Sequence, residues 1–381
     1  MEIRSNHPDS GPGSTTPTID RLLRRVLELG GSDLLLVPKA PPCALVEGSL
    51  RTLEEGFWDG AMIEAAVVPA LSAHALAEYR AKGLADSSYR ILGVGRFRIN
   101  LHRQQGDAAA AVRALPTAIP QFADLHLPEA VKALAHLPRG LVLIGGPAGS
   151  GKSTTLAALV HEINANKARH IVTVEDPIEY EHEHIKSVVE QVEIGTDAEA
   201  FPVALEATLR QAPDVIVVGE MRDPESMRIA VAAAETGHMV LSTIHTLDVA
   251  TTIARIVDSF PAERQNAVRQ ELALAITAVL TQILLPSKKG GRFPAAELLI
   301  VGYGARQHIR RNALHHLHQE IALSKARGSF SMEDSLVSLI KAGHIEREDA
   351  FLCATHPDDL EILLKEPAAR AQANTSRSAS W

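Results

Sequence analysis

The sequence predicts an α/β protein: a parallel sheet built around a phosphate-binding loop, preceded by a smaller α+β domain. Three observations carry this. Gly146-Pro147-Ala148-Gly149-Ser150-Gly151-Lys152-Ser153 fits the pattern G-x-x-x-x-G-K-[ST]. It stands between an apolar run, Leu141-Val142-Leu143-Ile144, and a stretch apolar at helical spacing from Leu156 to Ile163, the strand–loop–helix context that such a loop needs. Residues 171–174, 215–218 and 240–243 are short β-branched runs without polar alternation, as strands buried on both faces of a parallel sheet read.

Composition narrows the class. A chain of 381 residues has room for two cores. It is 46% hydrophobic, 22% charged and only 4% aromatic, with a net charge of −8, so no global basic field draws in nucleic acid or anionic lipid. Cys43 and Cys353, the two cysteines, suggest neither a disulfide framework nor a four-cysteine zinc site. No apolar run approaches the roughly 18 to 20 residues of a membrane span, and the first residues hold no apolar stretch for a signal peptide. The expectation is a protein of the reducing cytoplasm with no transmembrane segment and no nucleic-acid partner.

Taken in order, residues 1–16, rich in Ser, Gly, Pro and Asn, read as a disordered leader. Residues 17–29 carry helical spacing (Ile19, Leu22, Leu23, Val26, Leu27) and stop at Gly30-Gly31. Strands are expected at 33–37, 44–47 and 88–92, and 95–101 alternates cleanly, as an antiparallel strand with one wet face does. Helical segments fill 58–82, so 17–116 is a small α+β domain. Arg96 and Arg98, two apart on the alternating strand, share a face, with Arg113 a third candidate nearby. They are either a solvated arginine face or groups reaching phosphates held elsewhere. Prolines and small residues mark a linker at 117–125, and 126–365 forms the α/β domain. There, 129–135 is a helix, 262–285 reads as one long helix, and 330–342 and 346–353 are amphipathic helices. The tail, 366–381, is small and polar and is expected to be flexible. No repeat of fixed period is present.

The chemistry gathers at strand ends. In the loop, glycines let backbone N–H groups turn inward around phosphate oxygens. Lys152 would reach the β- and γ-phosphates, and Ser153 would bind Mg²⁺, with Thr154 following. Glu175, Asp176 and Glu179 end the second strand. One of them can activate a water and others can hold Mg²⁺ through its waters, unless they form merely an acidic loop with Glu181 and Glu183. Glu220 ends the next apolar run, where phosphate-loop enzymes place an acid toward Mg²⁺. His238 and His245 flank the strand at 240–243. A lone histidine is more often structural, but His245 ends a strand on the same edge as Glu220. His308, His315, His316 and His318 permit two ligands on one helical face, but no cysteine or carboxylate completes a metal set in the sequence.

These residues carry a specific resemblance. GPAGSGKSTT at 146–155, TVEDPIEY at 173–180, LRQAPDVIVVGEMRD at 209–223 and TGHMVLSTIHT at 236–246 resemble, in order, the Walker A, acidic-box, Walker B and histidine-box motifs of the type II/IV secretion (GspE-like) hexameric ATPases. The likeness is greatest to the type IV pilus retraction (PilT-like) ATPases and runs from about residue 17 to 364, with GRFRIN at 95–100 and the Arg113 segment also matching. It implies a RecA-like P-loop ATPase domain behind a PAS-like α+β domain. It further implies Mg²⁺-dependent ATP hydrolysis powering pilus retraction and twitching motility. Gly146 to Thr154 would bind the nucleotide, and Arg96, Arg98 and Arg113 would approach it from the N-terminal domain. Glu179, with Glu175 as second choice, would activate the water. Glu220 would order Mg²⁺, while His245 and His238 would couple nucleotide state to the sheet.

The implied partners are five further copies in a homo-hexamer, an inner-membrane pilus platform protein and a paralogous motor ATPase. The implied location is the inner face of the cytoplasmic membrane. Without a paired C-x-x-C, the chain fits the retraction type better than the assembly and export type. It departs from the pattern at Ser32-Asp33-Leu34-Leu35-Leu36, which lacks the family's histidine, and at Leu45, where an arginine is expected. Gly304-Ala305-Arg306-Gln307-His308-Ile309-Arg310-Arg311 replaces the final acid of AIRNLIRE with a base. An accessory ATP-binding paralogue and a secretion or assembly ATPase are the alternatives.

Overall fold

A computed structural model describes residues 18–365; the expected leader and tail lie outside the described residues. The chain divides into two units between Thr117 and Ala118.

The first unit is a six-stranded antiparallel sheet made of β1 (Asp33–Leu36), β2 (Cys43–Val46), β3 (Ser49–Thr52), β4 (Leu84–Ile91), β5 (Gly95–Gln104) and β6 (Asp107–Ala114), in the order β3-β2-β1-β6-β5-β4. In β5 alternation does what it predicts: Phe97, Ile99 and Leu101 are buried while Arg96, Arg98 and Asn100 point the other way. The helix Thr18–Glu28 lays Ile19, Leu22, Leu23 and Val26 into the same core. Helices Gly60–Val67 and Ala73–Lys82 start at Asp59 and Ser72, whose side chains accept from the backbone of Met62 and Ala75. Two strands of this unit escaped the sequence reading. β3 is exposed throughout and carries no burial pattern to read. β6, DAAAAVRA, is alanine-rich and favours helix by propensity, yet it is hydrogen-bonded between β1 and β5, where tertiary pairing overrides that preference.

In the second unit seven strands form one sheet: β7 (Gly140–Gly145), β8 (His170–Glu175), β9 (Val188–Glu193), β10 (Val215–Val218), β11 (Met239–Ile244), β12 (Ile276–Pro286) and β13 (Arg292–Ile300), in the order β13-β12-β7-β11-β10-β8-β9. Every pairing is parallel except β12 with β13. β7, β10 and β11 are buried along their whole length, which is why they read as unbroken apolar runs. Apolar cores cover both faces, one with Leu141, Leu143, Ile216 and Val240, the other with Val142, Ile144, Val217 and Leu241.

The long helix expected over 262–285 is corrected. A helix spans Ala262–Ala275, and the chain then turns straight into β12, parallel to β7. At the stop the Arg306 guanidinium donates to two carbonyls of the last turn, those of Ala273 and Leu274. Ile276 is extended, and the following residues fill the sheet rather than a helix face. An apolar run of this length does not distinguish strand from helix by periodicity.

Candidate active site at the phosphate-binding loop

β7 has β11 and β12 as neighbours, while β8, next in sequence among the strands, lies beyond β11 and β10. The direction of strand addition thus reverses at β7, the arrangement in which ligands bind beyond the carboxyl ends of the strands, and the loop stands at that end. Gly146 has φ +153, and a Cβ there would run into the Ser150 side chain and the Gln282 carbonyl. Gly151, at φ +87, precedes the Lys152–Asn166 helix, whose first turn carries no side-chain cap. Its leading N–H groups and positive dipole end therefore face the loop without internal competition.

Lys152 is only 7% exposed. Its ammonium donates to the carbonyls of Gly146 and Pro147, each at 2.8 Å, and lies 3.4 Å from His245 Nδ1. Burial pushes its pKa down, against the attraction of Glu220 and Glu179, which raises it. An ammonium can only donate, so Nδ1 of His245 accepts and the ring proton sits on Nε2. That Nε2 is 3.1 Å from Glu220 Oε1. Glu220 Oε2 accepts from Arg222 at 2.8 Å, and Arg222 reaches Asp176 at 3.3 Å. Lysine, histidine, acid and arginine thus form one chain of contacts at the strand ends. Hydrogen bonds between the ends of β10 and β11 keep Glu220 beside His245: Thr243 Oγ1 donates to the Gly219 carbonyl at 2.5 Å, and Met221 N–H donates to the Thr243 carbonyl at 3.0 Å.

Glu175 and Glu179 stand at the end of β8 in different surroundings. Burial pushes the Glu175 carboxyl up, even though it accepts from Thr173 Oγ1 at 2.7 Å, from Gln191 Nε2 at 3.2 Å and from the Glu179 backbone. Glu179 is half-buried and close enough to Lys152 to act on its charge. The Asp176–Pro177 peptide is cis. Thr154 turns to this segment, its hydroxyl 3.0 Å from the Tyr180 phenol. Ser153 follows Lys152 in the first helical turn, half-buried. Its hydroxyl and the Glu220 carboxylate are the hard oxygen donors that suit Mg²⁺.

Three residues in the site were not anticipated. Gln282 of β12 is 2% exposed, donates from Nε2 to the Ser150 carbonyl at 2.7 Å, and accepts on Oε1 from Thr155 at 2.9 Å. It clasps the loop on both sides. Gln191 and Glu193 of β9 hold the acidic segment: Gln191 Nε2 also donates to the Tyr180 carbonyl at 2.9 Å, and Glu193 Oε2 accepts from Ile178 N–H at 3.1 Å. For Gln191 and Glu193 no periodic signal was available, since 188–193 reads Val-Val-Glu-Gln-Val-Glu, and for Gln282 the signal was a single amide within a long apolar run.

Other predicted residues lie elsewhere. His238 precedes β11, at the opposite end of that strand from His245, and its Nδ1–H donates to the Ala233 carbonyl at 2.9 Å and lies 3.2 Å from Thr236 Oγ1, where the preceding helix ends. Seven residues of extended chain amount to roughly 23 Å, so within one chain His238 does not reach the loop. Arg96, Arg98 and Arg113 belong to the first unit. Arg98 and Arg113 are cross-strand partners, so the three share a sheet face. Arg98 pairs with Asp86 at 3.3 Å and Arg113 with Asp33 at 2.8 Å. The His308 ring stacks near His316, 4.9 Å between centroids, and lies 3.5 Å from Glu320; among the described residues no group of three or more such side chains is placed to hold a metal.

Fold and loop together define a P-loop α/β unit behind a small antiparallel domain. The family model for type II/IV secretion system proteins matches residues 118–333, and the chain belongs to that family. It is 38% identical over 341 residues to the Pseudomonas aeruginosa type IV pilus retraction ATPase PilT, covering 90% of this chain and 99% of the relative. To the type IV pilus ATPase PilU of the same organism it is 36% identical, with 91% of each covered. Among solved structures, the pilus retraction motor PilT with bound ADP superposes with a TM-score of 0.82 at 41% identity, covering 90% of this chain and 98% of that one. The Legionella pneumophila ATPase DotB gives 0.78 at 27% identity, covering 91% and 97%. No helix among the described residues is long and apolar enough to cross a membrane.

Proposed function

We propose that this chain hydrolyses ATP with Mg²⁺ and works as a homo-hexameric motor of type IV pilus retraction. The observation that carries this reading is the convergence of Lys152, His245 and Glu220 on an uncapped helix N-terminus behind a glycine loop. The loop amides and Lys152 bind the phosphates. The Lys152 ammonium donates to the carbonyls of Gly146 and Pro147, acceptors that phosphate oxygens would replace. Ser153 would hold Mg²⁺ and Glu220 would order it, and the ion would supply positive charge against the phosphates. Glu179, half-buried near Lys152, orients and deprotonates the attacking water. Glu175, whose carboxyl is pushed up by burial, is a second proton acceptor behind it. His245 reports the state of the site, since its ring spans Lys152 and Glu220. Arg96, Arg98 and Arg113 are read as groups that approach nucleotide in the assembled ring, with an inner-membrane platform protein as the driven partner.

The test is direct. Purified protein hydrolyses ATP with Mg²⁺, Lys152→Ala loses at least about a hundredfold in turnover, and the wild-type gene but not K152A restores twitching to a retraction-deficient strain. Undiminished turnover in K152A refutes the site.

A second reading, an accessory paralogue acting beside a primary motor, draws on the altered segment at 304–311, where a base, Arg311, stands in place of the acid that the resemblance leads one to expect. Loss of twitching on deleting this gene alone decides against it.

A further inference from the structure

Behind His245 the chain turns into the helix Val249–Asp258. Asp248 caps it, accepting from Thr251 N–H at 2.7 Å. Thr246 Oγ1 and Thr252 Oγ1 lie 2.7 Å apart, pinning the residue after His245 to the first turn of that helix. Its first amide, Val249 N–H, donates to Glu297 Oε1 at 3.1 Å. Glu297 stands on β13, 4% exposed, and also accepts from the backbone of Met332, the first residue of the helix Met332–Lys341. One carboxylate therefore serves the amino ends of two helices, the place where leading N–H groups and the helix dipole favour an anion.

The surroundings oppose that charge. Burial pushes the Glu297 carboxyl up to about 7, helped by the negative charges of Glu333 and Asp248 and resisted by the Val249 and Met332 amides. Asp248 faces it from the start of the helix Val249–Asp258 and Glu333 from the helix Met332–Lys341, while β12 presents the neutral Thr281 as its cross-strand partner. No cation is among the groups acting on it. Glu333 is 1% exposed, with Oε1 accepting from His356 N–H at 2.8 Å, just before the helix Pro357–Lys365, and with Oε2 unpartnered. Two buried acids thus link the segment behind His245 to the helices that close the chain.

We propose that Glu297 is a positioning residue for His245: its ionised carboxylate ties the histidine segment to the C-terminal helices, and taking up a proton loosens that tie. The inference rests on reading His245 as part of the active site. The physical argument is one of acceptor strength. The ionised group accepts two charge-assisted bonds, whereas in the neutral acid one oxygen becomes a hydroxyl and the other accepts more weakly. Stability runs the other way. With the folded value above the ordinary carboxylate range, the folded chain binds the proton more readily than the unfolded one, so Glu297 adds stability as pH falls through about 7 and withdraws it as pH rises. Positioning and stability therefore move oppositely with pH, which a purely structural role does not produce.

The experiment measures kcat and KM for ATP, and Tm, from pH 6 to 8 for the full chain, Glu297→Gln and Val249→Pro. V249P keeps Glu297 but deletes the amide it accepts from. Proline is tolerated at the first helical position, and Asp248 before it is already extended at φ −143 and ψ 173. The ratio of wild-type to E297Q kcat is expected to fall by up to about tenfold from pH 8 to pH 6 with a midpoint near 7. The KM ratio stays level. V249P gives the same pH-dependent ratio. Wild type gains Tm relative to E297Q as the pH is lowered over the same range. A kcat ratio constant with pH in both variants, or a pH dependence carried by KM alone, overturns the inference. Failure of the function itself looks different: no turnover in wild type, or undiminished turnover in K152A.

Discussion

Replacing Gln282 with leucine keeps the bulk of a fully buried side chain and removes both polar ends that clasp the phosphate-binding loop. Two bonds are lost, to the Ser150 carbonyl at 2.7 Å and from Thr155 Oγ1 at 2.9 Å. Their costs differ. Thr155 sits in the first helical turn, and its hydroxyl can turn to the carbonyl of Gly151, which already accepts the Thr155 N–H at 2.9 Å, so its loss is small. The Ser150 carbonyl has no such recourse, because Ser150 is 2% exposed. An orphaned buried acceptor costs about 1–3 kcal/mol. In the nucleotide-free protein the loop escapes that cost by leaving its shape, and binding must then restore it. About 2 kcal/mol charged to binding weakens ADP by roughly thirtyfold. Isothermal titration of ADP into wild type and Q282L measures this directly, with calorimetric unfolding showing that the variant is folded. Gln282→Glu sharpens the test. It keeps an acceptor for Thr155 but sets a carboxylate oxygen against the Ser150 carbonyl, so its affinity should be lower than that of Q282L. An ADP affinity in folded Q282L within about threefold of wild type would refute the clasp.

Two further outcomes follow from the same geometry. His245→Asn, which breaks the link between Lys152 and Glu220, should lower kcat by about ten- to a hundredfold, whereas His238→Asn, at the far end of β11, should stay within about twofold in a turnover assay of the isolated protein; equal losses would contradict the separation seen here. His182 is held down to about 4, mainly by burial with a contribution from His161, and its Nδ1 has no hydrogen-bond partner among the described residues. Because its folded value lies below the ordinary 6.5, the unfolded chain takes up the proton first, and stability is lost as pH falls from about 6.5 toward 4. The loss at pH 5 is about 1–2 kcal/mol; urea titrations at pH 7 and pH 5 should show it in wild type and show it reduced in His182→Phe, and parallel losses in the two proteins would count against it.

Legibility followed burial pattern and local chemistry. β7, β10 and β11 could be read because both faces are covered and the runs are apolar throughout. β5 could be read because one face is wet. β12 could not: an apolar run directly after a helix looks like more helix, and its partners in the sheet, β7 and β13, lie far from it or later in sequence, as does Arg306, whose guanidinium satisfies carbonyls of the last helical turn. β6 was hidden by alanines and β3 by full exposure. The loop glycines, Lys152 and Ser153 could be proposed from spacing, since a phosphate-binding loop is a contiguous pattern, and Glu220 from its place at the end of an apolar run. Gln282, Gln191 and Glu193 did not, because each acts on a loop distant in sequence and no local pattern marks such a partner.

The sequence by itself determined the α/β class, the phosphate-binding loop and the acids and histidines that end the strands, because each depends on short-range periodicity or on contiguous backbone geometry. Strand order was left to the tertiary structure. It set β12 against β7, so that Gln282 closes on the loop, and β11 beside β10, so that His245 meets Glu220. It also turned His238 away from the loop, although His238 and His245 flank the same short strand. Sequence spacing records that two histidines bracket a strand; only the direction of that strand within the sheet decides which of them stands over the loop.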